Sequence, residues 1–220
     1  MDLPLIIIGG GGHGAEVAAY ALDLGLNLLG VLDDGKPVGP WHCTQVLGGI
    51  SALPELAREL GAVGYITAFG NNALRQKIVQ QVESLGLPGL KAMSLSHASS
   101  WMGTDVEIGE GTLLAPGSLI TTRACIGKHN ILNVKASVAH DSVVGDFCNI
   151  NPGATLCGGV VLGDGCSIGA GATVIEKCRI GAGTVVGAGA VVTKDLPAGV
   201  TAVGVPARII KHLGSHTSIK

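Results

Sequence analysis

Two short stretches carry residue types that can do chemistry. The first is His140-Asp141, set within Ala136-Ser137-Val138-Ala139-His140-Asp141. An imidazole titrates near neutral pH, so it can take a proton from a nucleophile, and an adjacent carboxylate can orient the ring and favour the cation that forms. The second is Gly9-Gly10-Gly11-Gly12-His13-Gly14, in which Gly9, Gly11 and Gly14 fit the spacing G-x-G-x-x-G. Glycines there let phosphate oxygens approach backbone N–H groups at a helix N-terminus, where the dipole favours anions. Asp33 lies nineteen residues beyond Gly14, where a carboxylate can take a ribose hydroxyl. Asn71 and Asn72 follow a further apolar run and precede a helical stretch, the edge at which open α/β sheets hold ligands. Each group also has a plainer reading: a solvated turn for His140, a packing turn for the glycines, a helix cap for the asparagines.

The elements that must position these residues differ between the two halves. In the first, Leu3 to Ile8 reads as a buried strand entering the glycine loop, and Ala15 to Leu24 as a helix with Val17, Ala18, Ala21 and Leu22 on its apolar face. Leu28 to Leu32, Gly64 to Ala68 and Leu90 to Met93 read as further strands, and Ser51 to Leu60 and Ala73 to Leu85 as helices, the latter with a Leu74, Ile78, Val82, Leu85 stripe. Strands alternating with helices predict βαβ units and a small parallel, Rossmann-like sheet. About 95 residues hold only one βαβαβ half and a strand, which favours a nucleotide or nucleotide-sugar site over a redox dinucleotide site.

From Val106 to Asp195 the chain repeats every six residues without a break, giving fifteen hexads. The third place is always aliphatic, and the first is small except at Val106, Asn130 and Val160. A helix cannot use that period, because its stripe would spiral round the surface. A β-solenoid can: three hexads make one coil of a triangular prism, each aliphatic stacking on the one eighteen residues away. His140 then sits in the fifth place, at a corner, pointing outward, with His129 at a corner in the sixth. Cys148, Cys166 and Cys178 share the first place and line the interior, and no cysteine spacing suggests a metal site or a disulfide framework. Leu196 to Arg208 reads as a loop leaving the prism, and Ile209 to Lys220 as a short tail.

A net charge of −2 with no basic block gives no electrostatic footprint for nucleic acid or a membrane surface. The apolar run from Leu3 to Ile8 is too short for a signal peptide, and no segment is long enough to span a bilayer. The sequence therefore predicts a cytoplasmic protein of two domains: residues 1–95, an α/β domain with a small parallel sheet, and residues 96–220, an all-β parallel β-solenoid of about five coils with a C-terminal tail.

The glycine-histidine loop, Asp33-Asp34, Gly70-Asn71-Asn72 and the hexapeptide repeat together resemble the bacterial nucleotide-sugar N-acetyltransferases of the bacillosamine, viosamine and perosamine type, relatives of sialic acid O-acetyltransferases. The resemblance runs from Leu5 to about Lys211. It implies a homotrimer of left-handed parallel β-helices that transfers an acetyl group from acetyl-CoA, without a metal, to the amine of a UDP- or GDP-linked amino sugar. It assigns the general base to His140 with Asp141. Substrate contacts fall to Gly11, Gly12, His13, Asp33, Asp34, Gly70 and Asn71, and acetyl-CoA contacts to Asn149, Gly158, Ala170, Ala188 and Arg208. The Gly158 N–H would meet the thioester oxygen. Asn149 stands where many members carry a second histidine. Two other readings remain: O-acetylation of a free sugar such as sialic acid, and a non-catalytic nucleotide-binding trimeric scaffold.

Overall fold

A computed structural model of the chain describes residues 3–212, which divide into two compact units at Leu95/Ser96. The first unit is built on a six-stranded sheet in the order β3-β4-β2-β1-β5-β6. Its strands are β1 (Leu5–Ile8), β2 (Leu28–Leu32), β3 (Gly39–Trp41), β4 (Thr44–Gly48), β5 (Val63–Thr67) and β6 (Leu90–Ala92). Helices α1 (Gly12–Asp23), α2 (Leu53–Leu60) and α3 (Asn72–Ser84) connect them. Every residue of β1 and β5 is buried, as expected of central parallel strands covered on both faces. The chain moves from β1 to one side through β2 and to the other through β5, so the carboxyl ends of β1 and β5 form the crevice where the strand order reverses.

Four expectations for this unit need correction. The sheet is not wholly parallel: β3 runs antiparallel to β4 at the edge. This hairpin turns through His42-Cys43, which carries none of the Asn-Gly or Asp-Gly signals that mark tight turns, and Pro40 confines β3 to an edge. Helix α1 starts at Gly12, inside the glycine loop, rather than at Ala15. The buried face of α3 is Arg75, Ile78, Val79 and Val82, while Leu74 and Leu85 are exposed. The face keeps the i, i+3, i+4, i+7 spacing, but a charge occupies its first slot. Leu22 of α1 is likewise exposed, and Gly14, Val17, Ala18 and Ala21 form its face.

The second unit is a parallel β-helix of two-residue strands. Each strand pairs with the one eighteen residues on, as Ser137 with Thr155 and Val143 with Val161. Three faces result. The first holds strands 113–114, 131–132, 149–150, 167–168 and 185–186; the second holds 119–120, 137–138, 155–156, 173–174 and 191–192; the third holds 107–108, 125–126, 143–144, 161–162 and 179–180. From Leu114 to Val192 every third-place aliphatic is buried, and Cys148, Cys166 and Cys178 lie among them. Asn130, a large residue in a small-residue place, fits because its side chain is spent on the interior ladder. Its Nδ2 donates to Gly145 O at 2.9 Å, and its Oδ1 accepts from Cys148 N at 2.6 Å.

Both ends of the solenoid extend past the legible hexads. Trp101–Met102 pairs with Leu119–Ile120 and opens the second face one rung early. Beyond Asp195 the chain does not leave the prism. Leu196 bridges Ile180, and Val200–Val203 pairs parallel with Val185–Val186, with Thr201 opposite Val185. That offset is sixteen residues, so the coil has shortened by two and a six-residue count loses it. Arg208–His212 then turns back antiparallel on Val200–Val203, which replaces the expected tail as far as His212; residues 213–220 lie outside the described residues.

Leu156 is fully buried in the stack. Leu156→Ala should therefore lower unfolding stability by about 2–5 kcal/mol. A urea midpoint shift at unchanged slope measures this, and a loss under about 1 kcal/mol would show that the coils close the gap.

Candidate active site

In the first unit the loop after β1 is shaped by one close approach. A Cβ on Gly14 would lie 2.1 Å from Gly9 O, so α1 packs against the strand end at a distance only glycine permits. Gly9 itself takes φ +111°. Gly11 and Gly12 face open space, leaving bare backbone at the start of α1, whose first-turn N–H groups have no intrahelical acceptors. His13 lies in that turn. Its Nδ1 is 3.0 Å from Glu16 Oε2, and its buried Nε2 has no hydrogen-bond partner among the described residues.

The two aspartates after β2 do more bracing than the sequence suggests. Asp33 Oδ2 accepts from Gly10 N at 2.7 Å and its Oδ1 from Gly35 N at 2.9 Å. Asp34 Oδ1 accepts from Ile50 N at 2.9 Å. Asn71 caps α3, its Oδ1 accepting from Leu74 N at 2.9 Å. Nothing lies within 4 Å of a Cβ built on Gly70. Asp33, Asp34, Leu32, Ile50, Phe69 and Leu74 border a cavity of about 220 Å³. Sequence reasoning missed Arg75, which is buried and donates to Phe69 O at 2.7 Å and Asn72 Oδ1 at 3.0 Å. It fixes the turn after β5 from within, and the only signal was its place in the helical spacing.

In the second unit His140 stands on the edge between the second and third faces, outward and 58% exposed in its side chain. Its Nδ1 is 2.6 Å from Asp141 Oδ2. An ionised carboxylate only accepts, so Nδ1 carries the proton and Nε2 of the neutral ring is left as the basic atom. The ring lies across Gly158 one coil on: a Cβ there would come within 2.6–2.7 Å of Cε1 and Nε2. The Gly158 N–H on the same edge has no acceptor among the described residues. Asp141 is also gripped by Arg123, which the sequence reading did not single out although it lies eighteen residues before Asp141. Arg123 Nε donates to Oδ1 at 2.7 Å and Nη2 to Oδ2 at 3.0 Å. The Arg123 guanidinium, and then the His140 hydrogen bond, hold the Asp141 carboxyl down to about 2.

The remaining residues expected to contact acetyl-CoA lie elsewhere in the single chain. Ala170 and Ala188 stack on the edge between the first and second faces, Asn149 is buried on the first face, and Arg208 is exposed in the closing hairpin. His129 is buried and stacks on Phe147 with centroids 5.1 Å apart.

The chain is similar to known proteins. Residues 4–82 match the PglD N-terminal domain and residues 159–194 the bacterial transferase hexapeptide (six repeats). A perosamine N-acetyltransferase from Caulobacter crescentus, solved with CoA and GDP-perosamine, superposes with TM-score 0.87 at 36% identity, covering 94% of this chain and 96% of that one. The chain belongs to the nucleotide-sugar N-acetyltransferases. In this family the acetyltransferase domain of PglB from Neisseria gonorrhoeae, solved with acetyl coenzyme A, superposes with TM-score 0.86 at 31% identity over 96% of this chain and all of that one. The UDP-N-acetylbacillosamine N-acetyltransferase of Bacillus subtilis is 36% identical over 109 residues, 49% of each chain. The GDP-perosamine N-acetyltransferase of Escherichia coli O157:H7 is 38% identical over 79 residues, 36% of this chain and 34% of that one. The matched segments thus span a half or less of these curated relatives. Membership fixes the solenoid of this chain as the left-handed parallel β-helix.

Two measurements check the geometry. Gly14→Ala should destabilise the chain by about 1–3 kcal/mol in urea, whereas Gly11→Ala, with open space around it, should stay within about 0.5 kcal/mol. The Asp141 carboxyl, followed by carbon NMR, should titrate at about 2 instead of the ordinary 3.8. Its folded value is depressed, so the stability it adds is present above about pH 3.8 and is lost as the pH falls through 2. A midpoint at the ordinary value would show that the Arg123 and His140 contacts do not form in solution.

Proposed function

We propose that this chain transfers the acetyl group of acetyl-CoA to the amino group of a UDP- or GDP-linked amino-deoxy sugar. The observation that carries the reading is the outward His140 with its Nδ1 on Asp141 and its Nε2 beside Gly158. The neutral sugar amine attacks the thioester carbonyl, forming the C–N bond. His140 Nε2 takes the amine proton and returns it to the departing sulfur as the C–S bond breaks. The Gly158 N–H donates to the oxygen on which charge develops. No acyl-enzyme is required, because a thioester is already activated, and no residue here needs a metal.

The first unit supplies the nucleotide site: the α1 N-terminus with bare Gly11 and Gly12 receives the diphosphate, and the cavity beside Asp33 and Asp34 receives the nucleoside. Gly70, Asn71 and His13 border that site in this reading. Acetyl-CoA lies along the solenoid, with Gly158 at its thioester and Ala170, Ala188, Asn149 and Arg208 along the rest. These residues occupy different edges of one prism, so a single CoA meeting them together with His140 is most simply served by a groove between copies of a homotrimer. Acetyl-CoA and nucleotide sugars place the reaction in the cytoplasm.

Release of CoA thiol, followed with a thiol reagent, tests the reading with UDP- and GDP-4-amino sugars and with free sialic acid as competing acceptors. Thiol release should require the nucleotide-linked amine, and His140→Asn should lower turnover by about 10²–10⁴. Release with sialic acid alone, or near-full turnover in His140→Asn, would sink it.

A further inference from the structure

The edge that carries His140 is a column of charges. One residue per coil occupies the last corner place: Asp105, Arg123, Asp141, Gly159 and Lys177, each eighteen residues from the next. The four non-glycine residues all hold left-handed backbone, with φ +56°, +52°, +60° and +63°. The edge between the first and second faces has glycine at four of the corresponding places, Gly117, Gly153, Gly171 and Gly189, against one Lys135. Side chains at a left-handed corner cost stability, and an exposed ion pair returns little. Arg123 and Asp141 are 58% and 47% exposed in their side chains. Stability alone therefore gives no reason for an arginine at this corner, and Gly159 shows that the same column accepts glycine.

What the arginine does do is hold Asp141. Its Nε and Nη2 take both carboxylate oxygens at 2.7 and 3.0 Å, and Oδ2 is the atom that faces His140 Nδ1 at 2.6 Å. A bidentate fork fixes the plane of a carboxylate, which one hydrogen bond to an imidazole does not. Arg123 is itself seated: its N–H donates to Thr104 O at 3.1 Å, and Asp105 lies beneath it in the column. Its neighbour Thr122, directly below His140, is tied to Thr104 O at 2.8 Å.

We propose that Arg123 is a positioning residue for acetyl transfer: by clamping Asp141 it keeps the His140 proton on Nδ1 and presents Nε2 as the base. Arg123 touches neither the ring nor the reacting atoms. This rests on the assignment of His140 above, and the test separates the two.

Arg123→Gly removes the clamp while leaving a residue that favours φ +52°, so the fold is retained; urea denaturation checks this. Nitrogen NMR of histidine-labelled full-length protein reads the His140 tautomer without any substrate. In the parent protein the proton should sit on Nδ1. In Arg123→Gly the ring should shift towards the Nε2–H form, and Arg123→Lys, a single point charge, should fall between. Turnover should fall about tenfold in Arg123→Gly with both KM values within about twofold. An unchanged tautomer in Arg123→Gly overturns the proposal, whether turnover holds or falls. Should the parent protein release no thiol, the assignment of His140 as base fails, and the tautomer shift still decides whether Arg123 positions the ring.

Discussion

The parallel ladder that sets each residue of the solenoid against the one eighteen positions on governs nearly everything in the second unit. With strands only two residues long, a coil is tied to the next by few hydrogen bonds, such as Val143 N to Val160 O at 2.9 Å, and by one aliphatic per face. Neither contact tolerates a slip, because a one-residue shift would turn Leu156 or Ile150 outward and a corner residue inward. The consequence for chemistry is that an edge is written in columns. His140 has Thr122 below it and Gly158 above it by construction. A side chain at Gly158 would collide with the imidazole, so glycine at this corner is what leaves space for the ring.

The first unit solves a different problem with a similar economy. The carboxylates of Asp33 and Asp34 fix backbone N–H groups of Gly10, Gly35 and Ile50. A carboxylate has about four acceptor positions, so these bonds shape the loop and still leave capacity for a ligand. Arg75 braces the facing turn through Phe69 O. Both loops at the reversal of strand order are thus held by buried or half-buried charges and not by packing alone. A site preorganised in this way spends less of a ligand's binding energy on ordering backbone.

The sequence made some of this legible and hid the rest for definite reasons. Fifteen consecutive hexads announced the prism because a buried aliphatic every six residues has no other use. The closing turn escaped because its offset drops to sixteen, and Val200–Val203 then falls out of phase with any count by sixes. The β3–β4 hairpin escaped because its turn lacks turn residues. Arg75 escaped because a charge on the buried face of α3 defeats a pattern that searches for apolar residues. Arg123 was hidden differently: the eighteen-residue rule was applied to the interior aliphatics and not to the corners, where it pairs residue 123 with 141 directly. Asp33 and Asn71 were marked by their places after strands, but nothing in the sequence showed that backbone amides already use their side-chain oxygens.

An exposed His–Asp pair is a weak device in water. Solvent competes for every hydrogen bond, and groups 58% and 47% exposed interact through a high dielectric. The His140 edge of one chain therefore holds the atoms of the proposed site without the environment that would make them strong. The same Asp141–imidazolium contact gains when water leaves, since the attraction rises as the local dielectric falls. Whatever covers this edge during turnover, acetyl-CoA and sugar against the second face or a neighbouring prism, supplies that dryness. If His140 is the base proposed above, it is poised by its column and strengthened by its cover, and the proposed task of Arg123 is to hold that geometry in the interval when the edge is wet and the substrates have yet to arrive.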